Sequence, residues 1–143
     1  MENYRFGDIV CTVIVTAGEI TVGKLQDPKN LSVPPETAEA IRECKARGGR
    51  VVCVGSTTVR TLETVAARFG EVVAGSGASD IFIYPPYDFK VCDCMLTNFH
   101  LPQSTLLMMI SALAGRERVL CSYALAVRGN YKFFSYGDCM LIV

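Results

Sequence analysis

Hydrophobic residues recur along the chain in short runs whose spacing alternates between strand and helix periods. Residues 50–54 form a run with little polarity, which is typical of a strand covered on both faces. The next apolar positions, Val59, Leu62 and Ala66, fall on one side of a helix. This strand, turn and helix are the first half of a parallel strand–helix–strand unit.

The same patterns predict the other elements of the chain. Helices are predicted for 35–47, 101–114 and 116–127, each bounded by proline or glycine. Strands are predicted for 9–15 and 19–25 as a hairpin, and for 81–84, 89–96, 131–135 and 139–143, with connectors at 26–33 and 70–80. The element order predicts an α/β fold with a mixed, partly parallel sheet flanked by helices.

Composition and charge narrow the class of protein. Half of the 143 residues are hydrophobic and 20% are charged, which excludes a disordered chain. The formal net charge is zero, but four acidic and one basic residue give 71–93 a charge of −3. Four basic and one acidic residue give 94–137 a charge of +3. That basic segment is either an RNA-binding face or an ordinary solvated surface.

Cysteine usage and hydropathy indicate the compartment. The seven cysteines lie mostly in apolar runs and none has CxxC spacing, so we expect free thiols, a reducing compartment and no metal site. The longest apolar run, 106–114, is about half the length that a bilayer requires. We therefore expect a cytoplasmic protein without membrane contact.

The turn at residues 55–58, Gly-Ser-Thr-Thr, joins the buried strand to a helix N-terminus. Unpaired amides and the positive end of the helix dipole favour a carboxylate or phosphate there. Alternatively, Ser56 or Thr57 only caps the helix. Arg60 either faces the same anion or pairs with Glu63 on the surface. The lysine of a triphosphate-binding loop is missing, and no GxGxxG occurs.

A second polar turn, 97–102, contains His100, the only histidine of the chain. Its unperturbed pKa lies near neutrality, so the ring could transfer a proton, or it could only cap or pack. Ser104, at the start of the next helix, repeats the reasoning for an anion site. The preceding segment carries further polar side chains: Asp80, Tyr84, Tyr87, Lys90 and Asp93. The segment 133–138 either stacks a base or places two phenylalanines in the core.

Four blocks, 54–63, 79–91, 96–108 and 131–141, occur in order and at a characteristic spacing. Together they strongly resemble the S-adenosylmethionine:tRNA ribosyltransferase-isomerases of queuosine biosynthesis. The sequence departs from that pattern at three positions. Pro86 stands where glycine is usual, Gln103 where lysine is usual and Lys132 where arginine is usual.

The resemblance implies a place within a larger two-domain enzyme fold. Members of the family are considerably longer and carry an inserted β-barrel domain. Residues 31–143 would then be the C-terminal part of the ribosyltransferase-isomerase α/β domain, without the barrel. Residues 1–30 match poorly and are expected to be a hairpin segment.

The resemblance also implies an activity. The ribosyl group of S-adenosylmethionine would move to 7-aminomethyl-7-deazaguanine at the tRNA wobble position and isomerise, giving epoxyqueuosine. S-adenosylmethionine is consumed as a co-substrate, and neither another cofactor nor a metal is expected. The expected partners are tRNA, S-adenosylmethionine, and a missing N-terminal half or a second copy of the chain. The alternative is an inactive truncated relative that only binds tRNA or a ligand.

Residue roles follow from the resemblance in the same way. His100 or Asp93 is expected to act as the acid or base. The expected substrate-binding residues are Thr57, Thr58 and Arg60 for an anion, Tyr87 and Asn98 for orientation, Lys90 and Ser104 for further contacts, and Phe134, Tyr136 and Asp138 for the base.

Overall fold

Four helices and five strands form the part of the chain that the computed structural model describes, residues 30–134 and 137–143. In chain order they are β1 (Asn30–Val33), α1 (Pro35–Ala46), β2 (Val52–Val54), α2 (Ser56–Phe69), β3 (Gly75–Ala78), β4 (Cys94–Asn98), α3 (Thr105–Ala114), α4 (Arg116–Arg128) and β5 (Cys139–Ile142). The hairpin expected over 9–15 and 19–25 lies outside the described residues.

The central sheet has the strand order β2-β4-β5. The middle strand, β4, pairs parallel with β2, where Cys53 is opposite Met95, and antiparallel with β5, where Leu96 is opposite Leu141. A separate antiparallel ladder joins β1 to β3. The predicted mixed, partly parallel sheet with flanking helices is therefore confirmed.

The apolar stripe of α2 covers the central sheet. Val59, Leu62 and Ala66 are buried in the core with Met95 of β4. The helix ends at Gly70, which adopts a left-handed φ of 82° that a side chain would disfavour. The four predicted helices are thus confirmed, because periodicity and end signals act within each segment. The one expected to begin at residue 101 begins only at Thr105, where Ser104 caps it.

Five segments differ from their predicted structure. Residues 89–93, expected to begin a strand, have no regular secondary structure, and β4 begins only at Cys94. Residues 75–78 and 30–33, expected to be connectors, pair with each other as β3 and β1. Residues 81–84, a run of β-branched and aromatic side chains expected to be a strand, form none, and 85–86 are two consecutive prolines. Residues 131–134 form no strand either, since Phe134 turns the backbone with a left-handed φ of 66°.

Candidate functional site

The turns that follow β2 and β4 lie side by side at one edge of the central sheet. Because β2 and β4 are parallel, their carboxyl ends meet at the same edge. The N–H of Gly55 donates to the carbonyl of Leu96 at 2.8 Å, which fastens the first turn to β4. In open α/β sheets, ligands bind outside the carboxyl ends of the strands. We call this region, residues 55–60 and 98–104, the carboxyl-edge site.

The first turn of this site presents backbone amides rather than a capped helix end. Gly55 is the N-cap residue and has a φ of 86°, which glycine tolerates. No side chain caps α2, so neither Ser56 nor Thr57 acts as the cap. The N–H groups of Ser56 and Thr57, the first two residues of α2, have no carbonyl partner inside the helix. Thr57 is exposed, whereas Thr58 is buried and its hydroxyl donates to the carbonyl of Val54 at 2.8 Å.

His100 is held by contacts from two elements. Its Nε2 lies 2.9 Å from Oγ1 of Thr97, and its backbone N–H donates to the hydroxyl of Tyr123 on α4 at 2.9 Å. Burial lowers the pKa of His100 below its usual value, because desolvation disfavours the imidazolium. A ring in this state is neutral near pH 7 and can accept a proton.

Ser104 precedes α3 and Arg60 lies on α2, and residues of both helices line one cleft. Ser104 caps α3, and its hydroxyl accepts the N–H of Leu107 at 3.2 Å. The next residue, Thr105, lines a cleft of about 180 Å³ together with Arg60 of α2 and Asp80. Arg60 thus lines a cleft beside the start of α3. That it also faces an anion at the turn 55–58 stays a prediction.

Residues that precede β5 contact the end of β4 and the residue that follows it. The N–H of Phe134 donates to the carbonyl of Phe99 at 3.0 Å, and the ring of Phe134 is exposed. Nδ2 of Asn98 lies 3.5 Å from the carbonyl oxygen of Asp138. Phe134, Asn98 and Asp138 thus lie near His100 in the fold. Tyr136, also expected to contact the base, lies outside the described residues.

Glu63 is the residue whose role the sequence pattern did not reveal. It is fully buried, and its carboxylate accepts the N–H groups of Lys90 at 3.0 Å and of Val91 and Cys92 at 2.9 Å. The hydroxyl of Tyr87 donates to the same carboxylate at 3.3 Å. The alternative in which Arg60 pairs with Glu63 on the surface is therefore wrong.

A signal for this burial exists in the sequence. Glu63 continues the stripe formed by Val59, Leu62 and Ala66, with the spacing i, i+3, i+4 and i+7 of a buried helix face. A charged residue on such a face requires hydrogen-bonding partners. The structure supplies them from 87–92, a segment with no regular secondary structure.

Tyr87 and Lys90 therefore belong to the Glu63 contact rather than to the turns of the carboxyl-edge site. Burial and the adjacent Glu63 carboxylate raise the pKa of Tyr87 to about 12. Lys90 is exposed. It stands at the rim of a different cleft, between α1 and the end of α2.

The structure places the two expected acid–base residues at opposite ends of β4. Asp93 precedes the strand and His100 follows it, and a strand of five residues is roughly 16 Å long. The Asp93 carboxylate binds Lys45 Nζ at 2.6 Å and accepts the N–H of Val51 at 2.7 Å. These contacts join α1, β2 and β4 and suit a structural role for Asp93.

The basic residues of the C-terminal third lie on the surface. Arg116, Arg118 and Arg128 are exposed on α4, and Lys132 is exposed after it. In residues 30–134 and 137–143, none of the four forms an ion pair. The described residues contain no group of three or more metal-ligating side chains. No helix of that part of the chain has the length and apolarity to cross a bilayer.

Several known proteins are similar to this chain in sequence. The family described as "Queuosine biosynthesis protein" matches residues 15–142. Curated S-adenosylmethionine:tRNA ribosyltransferase-isomerases from Desulforamulus reducens and Moorella thermoacetica are 58% and 59% identical over 78% of the chain. The enzyme of the same name from Geobacter sulfurreducens is 50% identical over 86%.

A solved structure is similar in fold as well as in sequence. The crystal structure of an S-adenosylmethionine tRNA ribosyltransferase from Thermotoga maritima matches with a TM-score of 0.74 and 54% identity. The match covers 78% of this chain and 39% of that protein. The chain spans about a third of the length of the first two curated relatives.

Proposed function

This chain belongs to the queuosine biosynthesis protein family, and on that premise we propose that it acts in the ribosyl transfer of an S-adenosylmethionine:tRNA ribosyltransferase-isomerase. The acceptor is the aminomethyl group of 7-aminomethyl-7-deazaguanine at the wobble position of a tRNA. The ribosyl group moves to its nitrogen and isomerises to an epoxycyclopentanediol, while adenine and methionine leave. S-adenosylmethionine is a substrate in this reaction. Because the acceptor is a tRNA, we place the reaction in the cytoplasm.

The reaction requires a group that can both take up and return a proton. The sulfonium of S-adenosylmethionine acidifies the adjacent ribose carbon, and the departing adenine needs protonation. We assign this work to His100, because burial keeps its ring neutral near pH 7 and its position at the carboxyl end of β4 is typical of a reactive group. Thr97 orients the ring through Nε2.

The other site residues supply binding and orientation. Thr57 and Arg60 bind the methionine carboxylate or a phosphate at the start of α2, and Thr58 shapes that turn from within. Ser104 shapes the start of α3 in the same way. Asn98 orients the substrate, and the base-recognising residues are Phe134, Tyr136 and Asp138.

Tyr87 and Lys90 take part less directly. Tyr87 steadies the segment 87–92 through Glu63. The exposed ammonium of Lys90 meets a phosphate of the tRNA. Asp93 joins α1 to the sheet and does not take part in proton transfer.

One observation supports the proposal most directly. The hydrogen bond between Gly55 and Leu96 brings two of the four resembling blocks to the same edge of the sheet. Blocks that lie far apart in sequence thus contribute to one site.

The test measures the release of adenine from S-adenosylmethionine in the presence of an acceptor tRNA. Chromatography detects the free adenine. It is run on the chain alone and with the N-terminal part of a full-length relative added separately. Adenine release that requires both the tRNA and His100 supports the proposal. Binding of both substrates without adenine release under either condition would identify a binding module instead.

A further inference from the structure

Two aromatic rings stand on the surface beside the cleft that Arg60 lines. The centroids of Phe82 and Tyr84 are 5.3 Å apart with the ring planes tilted by 40°, and the two residues are 51% and 50% exposed. Ile83, between them, is buried in the core. The alternation of the chain therefore turns both rings toward solvent.

The segment that carries these rings is anchored. The hydroxyls of Ser79 and Thr64 lie 2.6 Å apart, and the N–H of Ile81 donates to Ser79 Oγ at 3.2 Å. The buried Ile83 holds the segment on its other side. The two rings are thus arranged before any ligand arrives, which reduces the entropy cost of binding.

The charges around the adjacent cleft suit a nucleotide. Arg60 forms no ion pair within the described residues, while the carboxylate of Asp80 lies 4.0 Å from the guanidinium of Arg68. The cleft of about 180 Å³ is lined by Arg60, Asp80 and Phe82, so a cation and an aromatic ring adjoin beside the carboxylate that Arg68 approaches. A phosphate and its attached base present the complementary pair of groups.

We propose that Phe82 and Tyr84 form a stacking platform for an unpaired RNA base. Of the two anions proposed for Arg60, the phosphate is then the one that it contacts, and this phosphate belongs to the neighbouring nucleotide. The inference rests on the proposed function, which supplies RNA as the acceptor. RNA fits better than a free nucleoside, because half-exposed rings at the rim of a cleft leave one face of the ligand open. Unpaired bases of RNA loops are commonly recognised by such stacking.

The test measures binding of a fluorescently labelled RNA hairpin with an unpaired loop to the full chain by anisotropy. We expect Phe82→Ala and Tyr84→Ala each to raise the Kd by about 5- to 100-fold. Tyr84→Phe keeps a ring and should stay within about twofold. Phe82→Leu keeps apolar volume without the ring, so it should preserve the fold. Its Kd should nevertheless rise as it does for the alanine variants.

The matched control is Phe69→Ala. Phe69 is 64% exposed but stands at the far end of α2, where it lines a different cleft. Its removal should leave hairpin binding unchanged. Arg60→Gln should reduce the salt dependence of binding by about one phosphate contact, whereas Tyr84→Phe should not change it.

Three results would overturn the inference. If the hairpin binds the wild-type chain and all ring variants equally, the platform is absent and the proposed function stands. If the ring variants weaken S-adenosylmethionine binding in equilibrium dialysis but leave the hairpin unaffected, the rings serve the adenine of that substrate. If the wild-type chain binds no hairpin, the platform is absent, whereas the tRNA acceptor of the proposed function is judged separately by adenine release.

Discussion

The carboxylate of Glu63 accepts the backbone N–H of Val91 at 2.9 Å, although 28 residues of chain separate them. The same carboxylate also accepts the N–H groups of Lys90 and Cys92. A fully buried charge is costly unless hydrogen bonds satisfy it, and here several donors converge on two oxygens. This contact attaches the irregular segment before β4 to α2 and positions Asp93 at the start of that strand.

Glu63→Gln should destabilise the chain by about 2–4 kcal/mol. The amide offers one acceptor oxygen in place of two and turns an NH₂ group toward backbone donors. The free energy of unfolding in urea measures the effect. Glu39→Gln is the control, because Glu39 forms only an exposed pair with Arg42 and should cost less than about 1 kcal/mol. Equal stability of the two variants would contradict the buried role of Glu63.

Tyr87 should ionise at about pH 12, later than an ordinary tyrosine. Since the pKa is raised in the folded state, the folded chain retains the phenolic proton where the unfolded chain has lost it. The stabilisation is present below pH 10 and is lost as the pH rises toward 12. The tyrosinate absorbance is recorded against pH for the wild type and for Tyr87→Phe. The difference between the two curves shows the late ionisation of Tyr87. A difference curve centred at the usual value near 10 would refute the contact with Glu63.

His100 should titrate below its usual value, which proton NMR of this lone histidine can measure. Because the folded pKa is depressed, the stabilisation is complete above pH 6.5 and is lost as the pH falls through the folded pKa.

In the adenine-release assay, His100→Asn should reduce turnover by about 10²- to 10⁴-fold with little change in Tm. Asparagine can keep one hydrogen bond to Thr97 but cannot transfer a proton. Turnover within a few-fold of wild type, with a lower Tm, would instead make His100 a residue that only holds the turn.

Asp93→Asn should leave turnover within a few-fold of wild type. Asparagine can still accept the N–H of Val51, and the pair with Lys45 is partly exposed, so the expected loss of stability is about 1 kcal/mol. Urea unfolding and the adenine-release assay are measured on the same preparation, with Lys45→Met as the partner variant. A hundredfold loss of turnover in Asp93→Asn alone would transfer the acid–base role from His100 to Asp93.

Reversing Arg116 and Arg118 to glutamate should weaken binding of every tRNA by a similar factor. Both side chains are exposed on α4 and so can meet phosphates without reading bases. The slope of log Kd against log salt should become shallower by about one per lost phosphate contact. Reversal of Glu117 to lysine is the opposite-sign control and should strengthen binding. Insensitivity of Kd to all three substitutions and to salt would show that these charges only solvate the surface.

The helices of this protein could be predicted because their signals are local. In α2, an apolar stripe at 59, 62 and 66 and the terminal Gly70 lie within a few turns of one another. The parallel strands β2 and β4 were recognisable for a similar reason, since both are apolar runs followed by a polar turn and a helix. The resemblance of the four blocks also depended on sequence alone.

The pairing of strands that contain few hydrophobic residues could not be predicted. Residues 75–78, Gly-Ser-Gly-Ala, have no apolar pattern, and they become β3 only because the backbone of 30–33 lies beside them. Residues 81–84 show the opposite case: their β-branched and aromatic side chains favour a strand, but within the described residues no strand pairs with them. In both cases the hydrogen-bonding partner, rather than the segment's own propensity, decides the structure.

The sequence by itself determined the helices, the partly parallel sheet and the four blocks that carry the candidate site, because each is encoded within one segment. Only the tertiary structure decided which side chains meet. It separated Asp93 from His100 by the length of β4, although both lie in the same short stretch of sequence. It also placed Glu63 in the core, which excludes the surface pair with Arg60 that the sequence had left open. The physical reason is that the burial of a charge depends on whether distant backbone donors can reach it.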